Sequence, residues 1–309
     1  MSSPTAWEGV VAGSVAGGLT RVIAAPLDLL KIRFQVQVGV KSTKFPRHYM
    51  SLVHALSTIY REEGLRTFWR GNVAATLLWV SYSGVQFGTY QALRNVLVDV
   101  DGDGHDGNHW ALNSLIGATS GVVATVSTYP FDRCRTVISS QGVPKVYHNM
   151  RHFFAASIQR EGIKGGLFKG LGPTVSQIIP YMGLSFGIYT TLNEVTSSST
   201  QSRFRWMLQT VGNGAIAGFV SKLLVYPLDT IKKRMQMQGV PRHIDYGYII
   251  PSYSSSLQCG RDIFRHEGLQ GLYKGTIPSL IKSMLTHSCT FTIYEFTAHS
   301  LHCLNVLSQ

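Results

Sequence analysis

The stretch YPLDTIKKRMQMQG, residues 226–239, decides how this chain folds. An apolar segment with a single cation, residues 206–228, runs into Pro227, Asp229 and the adjacent cations Lys232, Lys233 and Arg234. Near copies precede it: PLDLLKIR at 26–33 and PFDRCRTV at 130–137, against PLDTIKKR at 227–234. Each copy is followed by a second element, EGLRTFWRG (63–71), EGIKGGLFKG (161–170) or EGLQGLYKG (267–275). The chain therefore divides into three tandem copies, expected at 1–100, 109–198 and 204–302.

Working outward, charge-free stretches at 71–93, 110–131 and 170–193 are long enough to cross about 30 Å of hydrocarbon as helices. Three more, 9–27, 206–228 and 275–294, are each interrupted by one cation, Arg21, Lys222 or Lys282. Six membrane-spanning helices are expected. A cation at mid-span is costly unless it faces a wet interior, so all three are candidate functional residues. Only 14% of the 309 residues are Asp, Glu, Lys or Arg, against about 25% in soluble domains. A formal charge of +12 calls for an anionic partner without saying which.

Cys134, Cys259, Cys289 and Cys303 lack metal-ligand or disulfide-framework spacing and read as free thiols. No metal site and no cofactor are expected. The opening MSSPTAWEGVVAGSVAGG has neither a basic leader nor an Arg-rich pattern, so targeting is expected to be internal. The eleven histidines form no HExxH pair, and no nucleophile elbow or phosphate loop occurs. An enzyme is not expected, and a nucleic-acid binder has the charge but not the soluble composition. The segment DVDGDGHDGNHW, 99–110, imitates the start of a calcium loop but places Trp110 where a bidentate glutamate is needed. It reads as a solvated acidic linker.

Proline inside a helix removes a backbone hydrogen bond and kinks the axis. From each proline, an acid at +2 and a base at +5 share one helical face: Asp28 and Lys31, Asp132 and Arg135, Asp229 and Lys232. Gln35, Ser139 and Gln236 lie one turn further on that face. Threefold pseudosymmetry then pairs the acid of one helix with the base of another: Asp28 with Arg135, Asp132 with Lys232, Asp229 with Lys31. A solvated helix end would not repeat both signs at the same offsets three times. Glycine rows at Gly9, Gly13 and Gly17, at Gly117 and Gly121, and at Gly214 and Gly218 are expected to let helices pack closely within a monomer.

The threefold Pro-Asp and Glu-Gly elements resemble the mitochondrial carrier family along the whole chain. Two departures stand in repeat two: Val137 replaces the second basic residue, and Gly165–Leu167 holds one residue more than the sister copies. The resemblance implies an all-α membrane protein of the mitochondrial inner membrane, with three short matrix helices and a central cavity reached by alternating access. The acid–base ring would be its matrix gate, braced by Gln35 and Gln236. Family proteins carry a second, cytoplasmic ring late in the even helices. Here YQALR (90–94), YTTLN (189–193) and YEFTA (294–298) leave only Arg94 with Glu295 for a charged bridge. The aromatic-basic-Gly elements would receive cardiolipin phosphates.

Seven residues above the gate acids lie Arg21, Thr125 and Lys222; seven past each second-element glycine lie Leu78, Gln177 and Lys282. The family places substrate contacts there. With Tyr82, Tyr181 and Thr286 one turn on, Gln86 above, and Ile178 beside Gln177, the cavity would hold an anionic phosphate tail on three cations and a planar polar head against aromatics. Stretches such as KIRFQVQ (31–37), GVQF (84–87) and QGVPKVYHNMRH (141–152) are similar to the branch of the family that moves thiamine pyrophosphate, which implies that solute, exchanged for nucleotides. An adenine nucleotide or coenzyme A is the alternative.

Overall fold

The computed structural model describes residues 6–38, 49–98, 109–196, 203–240 and 251–307, so the acidic linker at 99–108 lies outside the described residues. Those residues form helices and no strands: α1 Ala6–Val36, α2 Leu52–Glu63, α3 Asn72–Val98, α4 His109–Ser140, α5 Met150–Leu167, α6 Leu171–Thr196, α7 Arg203–Gln236, α8 Ser256–Leu272 and α9 Thr276–Leu307. Six are long, and α2, α5 and α8 are short helices within the connections from α1 to α3, α4 to α6 and α7 to α9. By composition and length alone, Gln209–Gln236 would cross a membrane. The outward faces carry Val22, Ile23, Val80, Phe87, Ile179, Phe186, Leu224, Met284 and Phe296, all exposed apolar side chains suited to lipid.

Long helices pack mainly as α1 with α9, α3 with α4 and α6 with α7, and contacts of α1, α4 and α7 with one another, of α1 with α3 and of α4 with α6 join these pairs into one bundle. The seams are made by small buried residues one turn apart: Ala12, Ala16 and Thr20 on α1, Ser120, Ala124 and Thr128 on α4, Asn213, Ala217 and Ser221 on α7. These rows lie one residue before the glycine rows. A methyl group added at Gly13, Gly17, Gly117 or Gly218 would meet nothing within 4 Å. At Gly121 and Gly214 it would lie 3.7 Å from Tyr82 and 3.9 Å from Tyr189 of the packed neighbours, so the expected seam role holds at these two glycines and not at the other four. Gly13, Gly17 and Arg21 follow one another at four-residue spacing, so these glycines share the face of Arg21 and leave room beside it.

Pro26, Pro130 and Pro227 each sit inside a helix. Proline cannot donate to the carbonyl four residues back, a loss with a cost of about 3 kcal/mol in a helix interior. In repeat one, that carbonyl, Val22 O, accepts a hydrogen bond from Trp69 Nε1 at 3.0 Å. Repeats two and three instead have a tyrosine before the proline. Tyr129 donates to Lys169 O at 2.7 Å and Tyr226 to Lys274 O at 3.1 Å. Their rings stack on Phe168 and Tyr273, with centroids 6.1 Å apart in both cases. Where the tyrosine is replaced by Ala25, the larger Trp69 reaches the helix by itself.

The connections repeat as closely. Ser51, Asn149 and Ser255 cap the short helices, each side chain accepting from an amide three residues on. Gly64, Gly162 and Gly268 then turn the chain at φ of 69–80°, and Gly71, Gly170 and Gly275 turn it again at φ of 83–85°. The second trio also needs the missing side chain. A Cβ at Gly170 would lie 2.9 Å from Tyr129 Oη, and one at Gly275 would lie 2.9 Å from Lys31 O. These glycines let each even helix start against the gate end of an odd one.

Candidate functional site

The three kinked helices bring their acids and bases together where the sequence pairs them. Lys31 Nζ lies 2.7 Å from Asp229 Oδ2, Arg135 Nη2 2.8 Å from Asp28 Oδ2, and Lys232 Nζ 3.0 Å from Asp132 Oδ2. Side chains in the ring keep only 14–18% of their surface exposed. Gln35 donates to Asp229 Oδ2 at 2.9 Å, and Gln236 donates to Asp132 Oδ2 at the same distance. The ring closes this end.

The third position lacks such a brace, since Ser139 donates to Arg70 O at 3.0 Å instead of reaching an acid. Its place is taken from another helix. Lys282 Nζ lies 2.5 Å from Asp28 Oδ1, so Asp28 binds two cations. In this conformation Lys282, expected among the substrate contacts, is paired with a gate acid. Because α9 runs along α1, seven residues past Gly275 brings Lys282 level with Asp28. With 30% of its side chain exposed, it remains within reach of a solute in the cavity. Lys233 also pairs with Asp132, at 3.2 Å, and donates to Thr136 Oγ1 and Gln236 Oε1. The run of three cations signals this second partner, but counting offsets selects only Lys232.

Arg21 and Lys222 are half-buried above the ring. Among the described residues neither has a carboxylate partner. Arg21 donates from Nη2 to Ala75 O at 2.5 Å, places its guanidinium 5.8 Å from the Trp79 ring centre, and leaves Nε buried without an acceptor. Leu78, Trp79, Tyr82, Thr125, Gln177 and Ile178 line a mostly apolar hollow of about 290 Å³ whose floor includes Asp132 and Lys232. Gln86, Tyr181 and Thr286 are half-buried and do not line that hollow. Thr286 Oγ1 is buried with no partner.

The opposite end is open. Arg94 and Glu295 are both exposed and, among the described residues, no ion pair joins them. This expected bridge is absent in the present conformation, since a kinked bundle gathered at one end holds the other apart. In repeat two, Asn193 occupies the equivalent of Arg94 and accepts from Asn213 Nδ2 at 2.7 Å. That pairing fastens α6 to α7.

Below the ring, each Glu-Gly element is clamped by a buried arginine, a role the sequence reading did not assign. Arg33 binds both oxygens of Glu63, which also takes Arg70 at 2.7 Å. Arg234 binds Glu267 at 2.5 and 2.8 Å, with Lys274 as second partner. Burial alone would push the Glu267 carboxyl up; hydrogen bonds and charge from Arg234, with Lys274, outweigh it and hold the group below the ordinary glutamate range. The recurrence of Glu in all three second elements is the signal that could have shown it.

The model of the family described as mitochondrial carrier protein matches residues 2–101, 106–200 and 205–303. Mitochondrial thiamine diphosphate carrier 1 of Arabidopsis thaliana is 40% identical over 93% of this chain and 92% of its own length. Its namesake from Zea mays is 38% identical over 95% and 94%. The mitochondrial thiamine pyrophosphate carrier of Homo sapiens is 34% identical over 97% and 94%. Three matched repeats, relatives alike from end to end, and three inter-repeat bridges lead to one assignment: the chain belongs to the mitochondrial carrier family, the multi-pass solute transporters of the mitochondrial inner membrane.

Proposed function

We propose that this carrier moves thiamine pyrophosphate, and thiamine monophosphate with it, by alternating access in exchange for nucleotides. The observation that carries the reading is the division of the cavity. Two cations without carboxylate partners, Arg21 and Lys222, stand above the ring, and Arg21 lies 5.8 Å from the Trp79 ring, which lines a mostly apolar hollow with Tyr82 and Gln177. A diphosphate with a flat, nitrogen-rich head has that same division, and relatives named for this solute resemble the chain throughout.

In this reading, Asp28, Asp132 and Asp229 with Lys31, Arg135 and Lys232 are the matrix gate, and Arg94 with Glu295 forms part of the cytoplasmic gate when that ring opens. A solute entering from the open end places its phosphates on Arg21 and Lys222 and competes with Asp28 for Lys282. Each such charge-assisted bond contributes about 1.5–3 kcal/mol, so a diphosphate is held better than a monophosphate. Cardiolipin phosphate is assigned to the groove formed by Tyr49, Ser51, Leu52, Lys274, Gly275 and Thr276, where the N-terminal ends of α2 and α9 favour an anion. The carrier works as a monomer.

The test is uptake of labelled thiamine pyrophosphate by proteoliposomes holding the purified protein, preloaded with thiamine pyrophosphate, ATP or coenzyme A. Saturable uptake that needs internal anion is expected. Uptake of ATP or coenzyme A with none of thiamine pyrophosphate would sink the substrate assignment and leave the gate untouched.

A further inference from the structure

Two oddities of repeat two, the missing cation at 137 and the extra residue near 165, have a common explanation in Arg133. In repeats one and three, the clamp arginine lies seven residues past the proline. Arg33 donates from Nε to Ser139 O at 3.1 Å, and Arg234 from Nε to Gln35 O at 3.2 Å. Ser139, Gln35 and Gln236 are equivalent, each four residues past a gate base. The third arginine of this set should reach Gln236 O. Position 137 holds a valine packed in the apolar core instead.

Arg133 reaches it from one turn higher. Its Nε donates to Gln236 O at 3.3 Å, Nη2 lies 3.4 Å from Glu161 Oε2, and Nη1 donates to Gly165 O at 3.0 Å and to Gly166 O. Arg133 as a whole is 2% exposed. The glycine pair carrying the extra residue supplies two of those acceptors, and a Cβ at Gly166 would meet Ser157 O at 2.3 Å.

We infer that Arg133 is the clamp cation of repeat two and positions Gln236, whose amide braces Asp132. Val137, Arg133 and the Gly165–Gly166 pair are then a single rearrangement. The clamp is looser than its siblings: Glu161 keeps 27% of its side chain exposed, against 0% for Glu63 and 2% for Glu267. Only the link from Gln236 to transport rests on the gate reading; the clamp does not.

The inference is tested by Arg133→Ala, by Arg133→Ala with Val137→Arg, which returns the cation to its sister position, and by Asp132→Asn. Thermal unfolding of purified protein and thiamine pyrophosphate exchange in proteoliposomes are read for each. Arg133→Ala is expected to lower the unfolding midpoint by about 5 °C or more and exchange by about tenfold or more. The relocated arginine should restore the midpoint to within about 2 °C and most of the exchange. An Arg133→Ala protein as stable as the parent, or a relocated arginine that recovers no stability, overturns the clamp. If Arg133→Ala cannot be purified folded, recovery of folded protein by the relocated arginine supports it and continued failure overturns it. Normal exchange in Asp132→Asn, with the midpoint still rescued, refutes the gate reading alone.

Discussion

Reversing the charges of Lys31 and Asp229 tests the gate most severely. Either reversal alone leaves two like charges about 3 Å apart in a site that is 15–18% exposed. Removing one partner of a buried pair typically costs about 3–5 kcal/mol, which here falls on the closed ring. Each 1.4 kcal/mol is a factor of ten in population. Either single variant should therefore bind solute from the open side about 100-fold more weakly or worse and exchange at under about 1% of the parent rate when solute is scarce.

The double variant regains the pair. Gln35 can turn its amide so that Oε1, buried and without a partner in the parent, accepts from a lysine at 229. The exchange of charges still loses Lys31 above the Tyr226 ring, a contact of 5.8 Å contributing about 0.5–1 kcal/mol. It also sets an aspartate at 31 one turn from Asp28, and a lysine at 229 one turn from Lys232 and Lys233, adding a few tenths of a kcal/mol for each pair. A deficit near 1.5 kcal/mol implies recovery to about one-tenth of the parent. Initial exchange rates at low solute in proteoliposomes measure it. A double variant no better than both singles, at equal folded content, would falsify the pairing.

Replacing Lys282 by Gln should raise the half-saturation concentration for thiamine pyrophosphate about 10- to 100-fold, from the loss of one charge-assisted bond, and raise that for thiamine monophosphate less; equal shifts count against a shared phosphate role. Cys259 is fully buried in α8 and its thiol is pushed up to about 12 by burial, so maleimide at neutral pH should leave it unmodified until detergent unfolds the protein, as peptide mass mapping will show. Gly64→Ala meets no atom within 4 Å but must hold φ 80° and ψ 170°, and should cost about 1–3 kcal/mol. Gly170→Ala adds a collision with Tyr129 Oη and Gln236, so its unfolding midpoint should fall clearly further; equal midpoints would contradict the close approach. Glu267 binds its proton less tightly folded than unfolded, so its contribution is full above the ordinary value of 4.5 and is lost as pH falls below it. Thermal stability should be level from pH 5 to 8 with respect to this group, and Glu267→Gln should reduce the loss below about pH 4.

What the sequence displayed and what it hid follow one physical division. Offsets along a helix fix which residues share a face, so the Asp28, Asp132 and Asp229 pairings were legible from spacing. Offsets do not say how far a long side chain reaches between helices. Lys282 bonding to Asp28 depends on the level of α9 against α1, and Arg133 acting for a residue at 137 depends on one helical turn of reach. Glycine was ambiguous for a different reason: lacking a side chain, it suits both a tight seam and an open lumen. Only coordinates separate the Gly13 row from the Ala12 row beside it.

The charge balance of the closed ring connects these findings to transport. Three acids, Asp28, Asp132 and Asp229, meet five cations: Lys31, Arg135, Lys232, Lys233 and Lys282. Arg21 and Lys222 stand above with no carboxylate of their own, so the cavity is cationic even when its gate is fully paired. Such a surplus draws anions into the hollow. It also means that Lys282, like Lys233, can be lost with the three gate bridges still formed, because Asp28 keeps Arg135 and Asp132 keeps Lys232. A phosphate that takes Lys282 thus reduces Asp28 from two cations to one, while Asp132 retains both of its own and the Gln236 amide. Under the proposed mechanism, a bound diphosphate weakens the α1–α9 contact first, because the pair it breaks joins Asp28 of α1 to Lys282 of α9.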